Sequence, residues 1–306
     1  MKILIIYFSQ SGQLRHILDN VVQDIKQEAT VDFAEIKPVN PFPFPWTSAT
    51  FFDAMPECVL QIPSEIQPMP ELTAKDYDLV IFGYQPWFLS PSNPANSFLK
   101  SEWAKALKGK PVITVVGSRN MWLNAQEKVK ADLAQLQARH VGHIVLEDKH
   151  GNLTSTLTII RWLFKGQKKA SGMLPDAGVS EKDIRDTQKY GVPILQHFKQ
   201  NKIDRLQQDL LQLGAIHLRP NLIVLEKRGV SQFPKWAQKA RAKGGPGSEA
   251  RRPVIKLFSR ILIVAIFVLS PITALIAAIQ TALKKKQLLK EVEYFKSTAY
   301  VPGKLG

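Results

Sequence analysis

Cysteine is nearly absent from this chain. Cys58 is the only one in 306 residues, so no intrachain disulfide can form and no zinc site can be built from thiolates. A reducing compartment is the natural setting. Histidine is scarce too. The six, at positions 16, 140, 143, 150, 197 and 217, show no metal-ligand spacing, and His140 and His143, three apart at a strand start, are expected on opposite faces. His16 reads as a surface residue, and no metal site is expected. Nucleotide signatures are missing as well. There is no Gly-x-x-x-x-Gly-Lys-Ser/Thr, which excludes a nucleoside-triphosphate loop, and no Gly-x-Gly-x-x-Gly, which argues against a Rossmann dinucleotide fold. The first twenty residues lack the basic, apolar and small-residue series of a signal peptide, so the bulk of the protein is expected in the cytoplasm.

Acidic residues run short only in the last third. Residues 1–200 carry 22 Lys and Arg against 20 Asp and Glu, whereas residues 201–306 carry 19 against 6. The net charge of +15 is thus concentrated beside the longest apolar run, which favours an anionic membrane surface over nucleic acid as the partner. That run, Ile261 to Leu283, holds 23 residues without a charge, and about 20 suffice to cross a bilayer as a helix. Ser270-Pro271 should kink it. Basic residues flank both ends, Arg251, Arg252, Lys256 and Arg260 before and Lys284, Lys285, Lys286 and Lys290 after. The charge rule therefore leaves two topologies open, a single crossing or a bend and return.

The first two thirds alternate. Ile3–Tyr7, Val31–Ile36, 77–84, 110–118 and 141–148 read as strands, and Leu14–Ile25, 97–109, 124–140 and 181–199 as helices. This pattern implies a parallel sheet with helices on both faces. In Ser9-Gln10-Ser11-Gly12-Gln13 small residues let backbone amides converge on a phosphate at the start of a helix.

"ILIIYFSQSGQL", "DLVIFGYQPWFLSPSNPANSFL" and "GKPVITVVGSRNMW" resemble, in order, the phosphate loop and the second and third cofactor-flanking loops of the flavodoxin family. The resemblance covers about 150 residues and implies an α/β flavodoxin-like five-stranded parallel sheet that binds FMN. It places the phosphate at Ser9, Gln10, Ser11, Gly12, Gln13 and Leu14, where the family usually has a hydroxyl at the last position. The ring would lie against Pro86, Trp87 and Phe88, with Gly117, Arg119 and Asn120 as the third wall and Arg119 near the N1/O2 edge. Over nearly its full length, including "PFPFPW", "FFDAMPE" and "SRNMWLNAQEK", the chain also resembles bacterial proteins labelled dialkylresorcinol condensing enzymes. Carbon–carbon condensation normally uses a Cys nucleophile with His partners. Cys58 sits in a Pro-rich loop with no local His, and reads as an apolar filler.

The expected organisation is a domain over 1–200 with inserts at 38–70 and 150–178, a basic juxtamembrane extension and linker over 201–250, a membrane-associated helical segment over 251–290 and a polar tail over 291–306. The first insert, too rich in proline for a regular helix, is expected as an apolar lid over the flavin, and Arg161, Trp162, Leu163 and Phe164 of the second are expected near the membrane. Two functions follow from these resemblances. One is an FMN-dependent oxidoreductase at the cytoplasmic face of the membrane, acting on an apolar or acyl-carrier-linked substrate, such as a dialkylcyclohexanedione oxidised to a resorcinol; no catalytic base can be named. The other is a flavin-free, membrane-bound partner of a ketosynthase.

Overall fold

The computed structural model describes residues 1–72 and 76–305. β1 (Lys2–Tyr7) is buried on both faces from Ile3 onward, as a strand covered by two helical layers must be. There follow α1 (Gln13–Val21), β2 (Thr30–Glu35), α2 (Ser48–Asp53), α3 (Met55–Val59) and β3 (Leu79–Tyr84). A short hairpin, β4 (Pro86–Trp87) and β5 (Ser90–Pro91), precedes α4 (Asn93–Leu99), β6 (Pro111–Ser118), α5 (Leu123–Gln135), β7 (Arg139–Glu147) and α6 (Asn152–Lys165). The remainder is helical: α7 (Glu181–Arg185), α8 (Gly191–Lys199), α9 (Leu206–Gln212), α10 (Pro220–Arg241), α11 (Arg252–Phe267), α12 (Ser270–Leu283) and α13 (Lys285–Lys296).

The main sheet runs β2-β1-β3-β6-β7, parallel throughout. With the hairpin set aside this is the flavodoxin-like order 2-1-3-4-5. β3 shows both covered faces at once, because successive residues point to opposite sides. Phe82 stacks on Phe98 of α4, while a Cβ at Gly83 would lie 2.7 Å from Leu18 of α1. The expected helix over 181–199 is broken into α7, a 3₁₀ turn over 186–190, and α8.

One expectation about the sheet is corrected. Pairing of β6 with β7 slips between Val112 and Ile113, so that Val112 faces His140 but Ile113 faces Gly142. The bulge flips the parity of the strand. His140 and His143 therefore meet, both bonded to Thr114 Oγ1, at 3.0 and 2.8 Å. Burial holds both neutral, pulling His140 down to about 4 and His143 well below its ordinary range.

The inserts and the C-terminal third also differ from expectation. The first insert carries two short helices, α2 started by a reciprocal Thr47–Thr50 capping box and α3 by Pro56 in its first turn; prolines at such positions suit a helix start. In the second, Arg161 and Trp162 are buried and do not face outward. The Arg161 guanidinium donates to the carbonyls of Gln167, Lys168, Leu174 and Pro175 and so organises the loop after α6. Residues 201–250 are mostly helix, α10 alone being 22 residues. The tail also packs back: Phe295 and Leu305 are buried, and the Thr298 carbonyl meets His140 Nδ1 at 3.1 Å.

The apolar run is divided. α11 ends at Phe267 and α12 begins at Ser270, its proline in the first turn; the side chains of 270–272 and 274 lie outside the described ones. At 1.5 Å per residue, helices of 16 and 14 residues reach about 24 and 21 Å, short of the ~30 Å hydrocarbon core. No helix of the described residues is long and apolar enough to cross a membrane. Both helices pack along α10, and they leave Val264, Val268, Leu275, Ile279 and Leu283 exposed. A second, smaller apolar core joins α10 and α11 to the first insert through Phe52, Met55, Val59, Ala237, Ala240, Ile255 and Phe258.

Candidate functional site

The C-terminal ends of β1, β3 and β6 open onto the loops that the sequence singled out. Gly12 takes a left-handed φ of +80° as it enters α1 and, as the N-cap, brings no side chain to the first amides. The N–H groups of Ser11, Gly12, Gln13 and Leu14 make no hydrogen bond within the described residues. Four successive free amides at a helix start are the donors an anion site needs, and they form the cradle of this loop. The side chains around it are committed elsewhere. Ser9 Oγ accepts from the Arg15 amide, and Gln13 pairs with both backbone groups of Val179. Gln10 donates to the carbonyls of Phe42 and Pro43, tying the first insert to the cradle. Leu14 is a core residue, buried and within 3.7 Å of where a Cβ on Gly117 would lie. It offers its amide and nothing more.

Beside the cradle lies a cavity of about 180 Å³, lined by Gln10, Ser11 and Gln13, by Pro86, Trp87 and Phe88, and by Gly117, Ser118 and Arg119. Eight of the twelve expected residues thus line this one space, while Ser9, Gly12 and Leu14 belong to the cradle beside it. Asn120 does neither. It is buried beside Asn152, at 3.4 Å. Trp87 is a wall, but held edge-on by Phe8, Phe42 and Trp46, at centroid distances of 5.7, 5.2 and 5.3 Å.

Phe88 reaches the cavity by an unusual turn. Phe88 and Leu89 both have positive φ, +49° and +59°, the two-residue hairpin conformation that normally takes Asn-Gly. Two contacts hold it. Asn124 Nδ2 donates to the Leu89 carbonyl at 2.6 Å, and Gly229 of α10 leaves room for the Leu89 side chain, which would sit 2.5 Å from a Cβ there. Strain held in this way collects at functional sites.

Arg119 spans the other wall. Its Nη1 is fixed by Asn152 Oδ1 at 2.9 Å and Thr156 Oγ1 at 2.8 Å, on the first turn of α6. Burial pulls its pKa down, and the neighbouring Asp148 partly offsets that.

Several lining residues come from far along the chain: Phe44, Trp46 and Phe51 belong to the first insert, expected as a lid though not residue by residue, whereas no local pattern pointed to Gln85, Asp148 and Trp162 as walls. Asp148 bonds His150 through Oδ1 at 2.7 Å, while its buried Oδ2 and the Ser118 hydroxyl have no partner among the described residues. Its one sequence signal was position, directly after the apolar β7. Gly178, with φ +79°, passes so close to Trp162 that a Cβ would lie 2.6 Å from the indole. Cys58 is outside this cavity and fully buried, and burial pushes its thiol up to about 12. It lies on α3 and not in the loop expected for it, and packs there as a buried side chain. Among the described residues no cluster could hold a metal ion.

No family model and no curated protein matches the chain. Solved structures similar to it include a flavodoxin from the domain Archaea, 14% identical, covering 65% of this chain and 99% of that one with a TM-score of 0.38. A WrbA-like flavodoxin from Agrobacterium tumefaciens is 12% identical over 65% of this chain and 98% of its own, TM-score 0.38. A flavoprotein in complex with FMN from Lactobacillus acidophilus is 18% identical over 47% and 92%, TM-score 0.36. The fold assignment rests on the strand order and not on these likenesses.

Proposed function

We propose that this chain is an FMN-binding oxidoreductase held at the cytoplasmic face of a membrane and acting on an apolar substrate. The observation that carries the reading is the cradle of four unpartnered amides, Ser11 to Leu14, opening beside an aromatic-walled cavity at the β1–β3 switch point, where flavodoxin-like sheets place their ligand. The donor set fits a phosphomonoester, and indole and phenyl walls fit a flat π-system. The cavity of about 180 Å³ is below the 300–1,000 Å³ usual for small-molecule sites. Entry of a three-ring group therefore needs Phe44, Trp46 and Phe51 to move outward with the first insert.

Bound there, FMN would supply a hydride acceptor, as in the oxidation of a dialkylcyclohexanedione to a resorcinol. The chain would hold the phosphate through the amides of Ser11–Leu14, orient the ring between Trp87 and the Gly117–Arg119 loop, and exclude water with Trp46 and Trp162. Arg119 would balance charge at the pyrimidine edge. The membrane reading is supported by the exposed apolar side chains of α11 and α12 between basic flanks. Each Lys or Arg near an anionic leaflet contributes roughly 1 kcal/mol, and helices of this length would lie in the interface and not cross it.

An absorbance scan with an FMN titration tests the first part. Saturable binding with flavin bands, lost in Gly12→Asp, is expected; a colourless protein indifferent to FMN overturns it. Sedimentation with vesicles containing phosphatidylglycerol, and not with pure phosphatidylcholine, tests the second. The alternative, a flavin-free partner of a ketosynthase, draws on the Leu14 side chain being committed to the core and on the small cavity.

A further inference from the structure

A second opening lies on the other side of the first insert from the ring cavity. It is a cleft of about 460 Å³ between α2 and the first two turns of α11, a volume within the range of small-molecule sites. Its floor is apolar, with Phe52 and Ile255 buried. Its mouth is basic. Arg252 and Lys256 stand one helical turn apart on α11, and both are exposed.

The acidic groups nearby do not cancel that charge. Asp53, at the edge of the cleft, is taken by the buried Arg251 at 2.7 Å. Glu249 meets only Arg252, in a pair that is largely exposed on both sides, and exposed pairs of this kind are weak. Lys256 has no carboxylate partner among the described residues. The cleft is thus an apolar trough closed at one end by two cations.

Its position adds a second argument. Phe52 lies 5.1 Å from Phe51 and 6.4 Å from Phe88, ring centre to ring centre, and Phe51 and Phe88 are walls of the ring cavity. One layer of phenyl rings therefore separates the two spaces. Past Ser259 the same face of α11 continues one turn on to Ile263, which is exposed.

We propose that this cleft binds a single-chain amphiphile, a long-chain carboxylate, with its head between Arg252 and Lys256 and its chain along Phe52 and Ile255 toward the phenyl layer. Binding stands by itself. The further role, an antechamber from which a chain-bearing substrate reaches the flavin, rests on the function proposed above.

The test uses the full chain without added FMN and the fluorescent C18 carboxylate cis-parinarate, competed with palmitate. One saturable site is expected. Ala49→Trp fills the cleft from an exposed position and should weaken binding at least tenfold. Arg252→Gln with Lys256→Gln should weaken it three- to tenfold and flatten its salt dependence, and hexadecanol should compete less well than palmitate. Equal binding by wild type and Ala49→Trp would place the probe on the exposed apolar surface and overturn the proposal. So would equal competition by hexadecanol. FMN titration of the same variants separates the two readings. Parinarate bound and lost in Ala49→Trp by a protein that ignores FMN keeps the cleft and removes the flavin, whereas FMN binding with an unaltered parinarate isotherm in Ala49→Trp does the reverse.

Discussion

Arg251 is the residue on which the first insert and the helical C-terminal third are joined, and replacing it with methionine should be costly. Its side chain is fully buried. Nε donates to Asp53 Oδ1 at 2.7 Å, Nη1 to Glu57 Oε1 at 2.8 Å, and Nη2 to the Asp53 carbonyl at 2.6 Å. Removing one partner from a buried ion pair costs about 3–5 kcal/mol, because the charge left behind stays desolvated. Two donors would survive here, Arg241 to Glu57 at 3.2 Å and the Gly247 amide to Asp53 at 2.8 Å. Arg251→Met should therefore fall near the lower bound, about 3 kcal/mol. At roughly 2–4 °C per kcal/mol in a chain of this class, the melting temperature drops by about 6–12 °C. Urea denaturation followed by tryptophan fluorescence gives the free energy. The triple variant Arg251→Met, Asp53→Asn, Glu57→Gln removes the stranded charges and should recover most of the loss. A single variant within 1 kcal/mol of wild type, or a triple variant no better than the single, would refute the reasoning.

Three further outcomes are expected. Burial pushes Glu226 up to about 8 and Glu147 up to about 7, so the folded protein holds protons that the unfolded chain, with carboxyls near 4.5, has released. Stability then falls as pH rises through this window, opposed in part by Lys128, which burial pulls down to about 8; between pH 7 and 8.5 the urea midpoint should drop, and Glu226→Gln should flatten the slope. Cys58, buried and with its thiol pushed up to about 12, should resist Ellman's reagent in the native state and react only on unfolding; prompt labelling would contradict its burial. Gly178→Ala combines a left-handed φ of +79° with a contact of 2.6 Å to Trp162, and should cost roughly 2–4 kcal/mol through strain and overpacking while changing the near-UV circular dichroism of the indoles. A wild-type melt would show that the loop relaxes freely.

The sheet was legible because its strands are buried on both sides, and short apolar runs such as Ile3–Ile6 and Leu79–Phe82 carry that requirement openly. The cradle was legible for a related reason: a small-residue loop between a buried strand and an apolar-striped helix can hardly be anything but a strand-to-helix turn with free amides. The cavity was half legible. Pro86 to Phe88 and Gly117 to Arg119 follow directly from strands and inherit their placement. Trp46, Trp162 and Asp148 reach the same space from an insert, a helix and a distant strand end, and no local pattern links them. The histidine parity failed for a different cause, since one bulged residue, Val141, reverses every later side chain of β7 and leaves no mark in composition.

The C-terminal third misled through its strongest signal. A charge-free run of 23 residues measures transfer into lipid, and only Ser270-Pro271, where a kink is expected, marks the place at which the helix divides. The regular helix breaks at Val268 and Leu269, where the Leu269 amide bonds five residues back to Val264, before a proline that starts the next helix, so two short rods replace one long one. The run also hides its partner. α10 reads as a basic stalk because its five Lys and Arg stand against a single Glu, yet Leu222 and Ile223 near its start and Ala237 and Ala240 near its end are buried. The two small alanines, with Phe258, let α10 and α11 approach the first insert closely enough for Phe52 to be covered. What the sequence presents as lid, linker and membrane segment, three separate stretches, is one packed unit in the fold, and Arg251, bonded to Asp53 and Glu57 beside Arg241 and the Gly247 amide, helps fix its register.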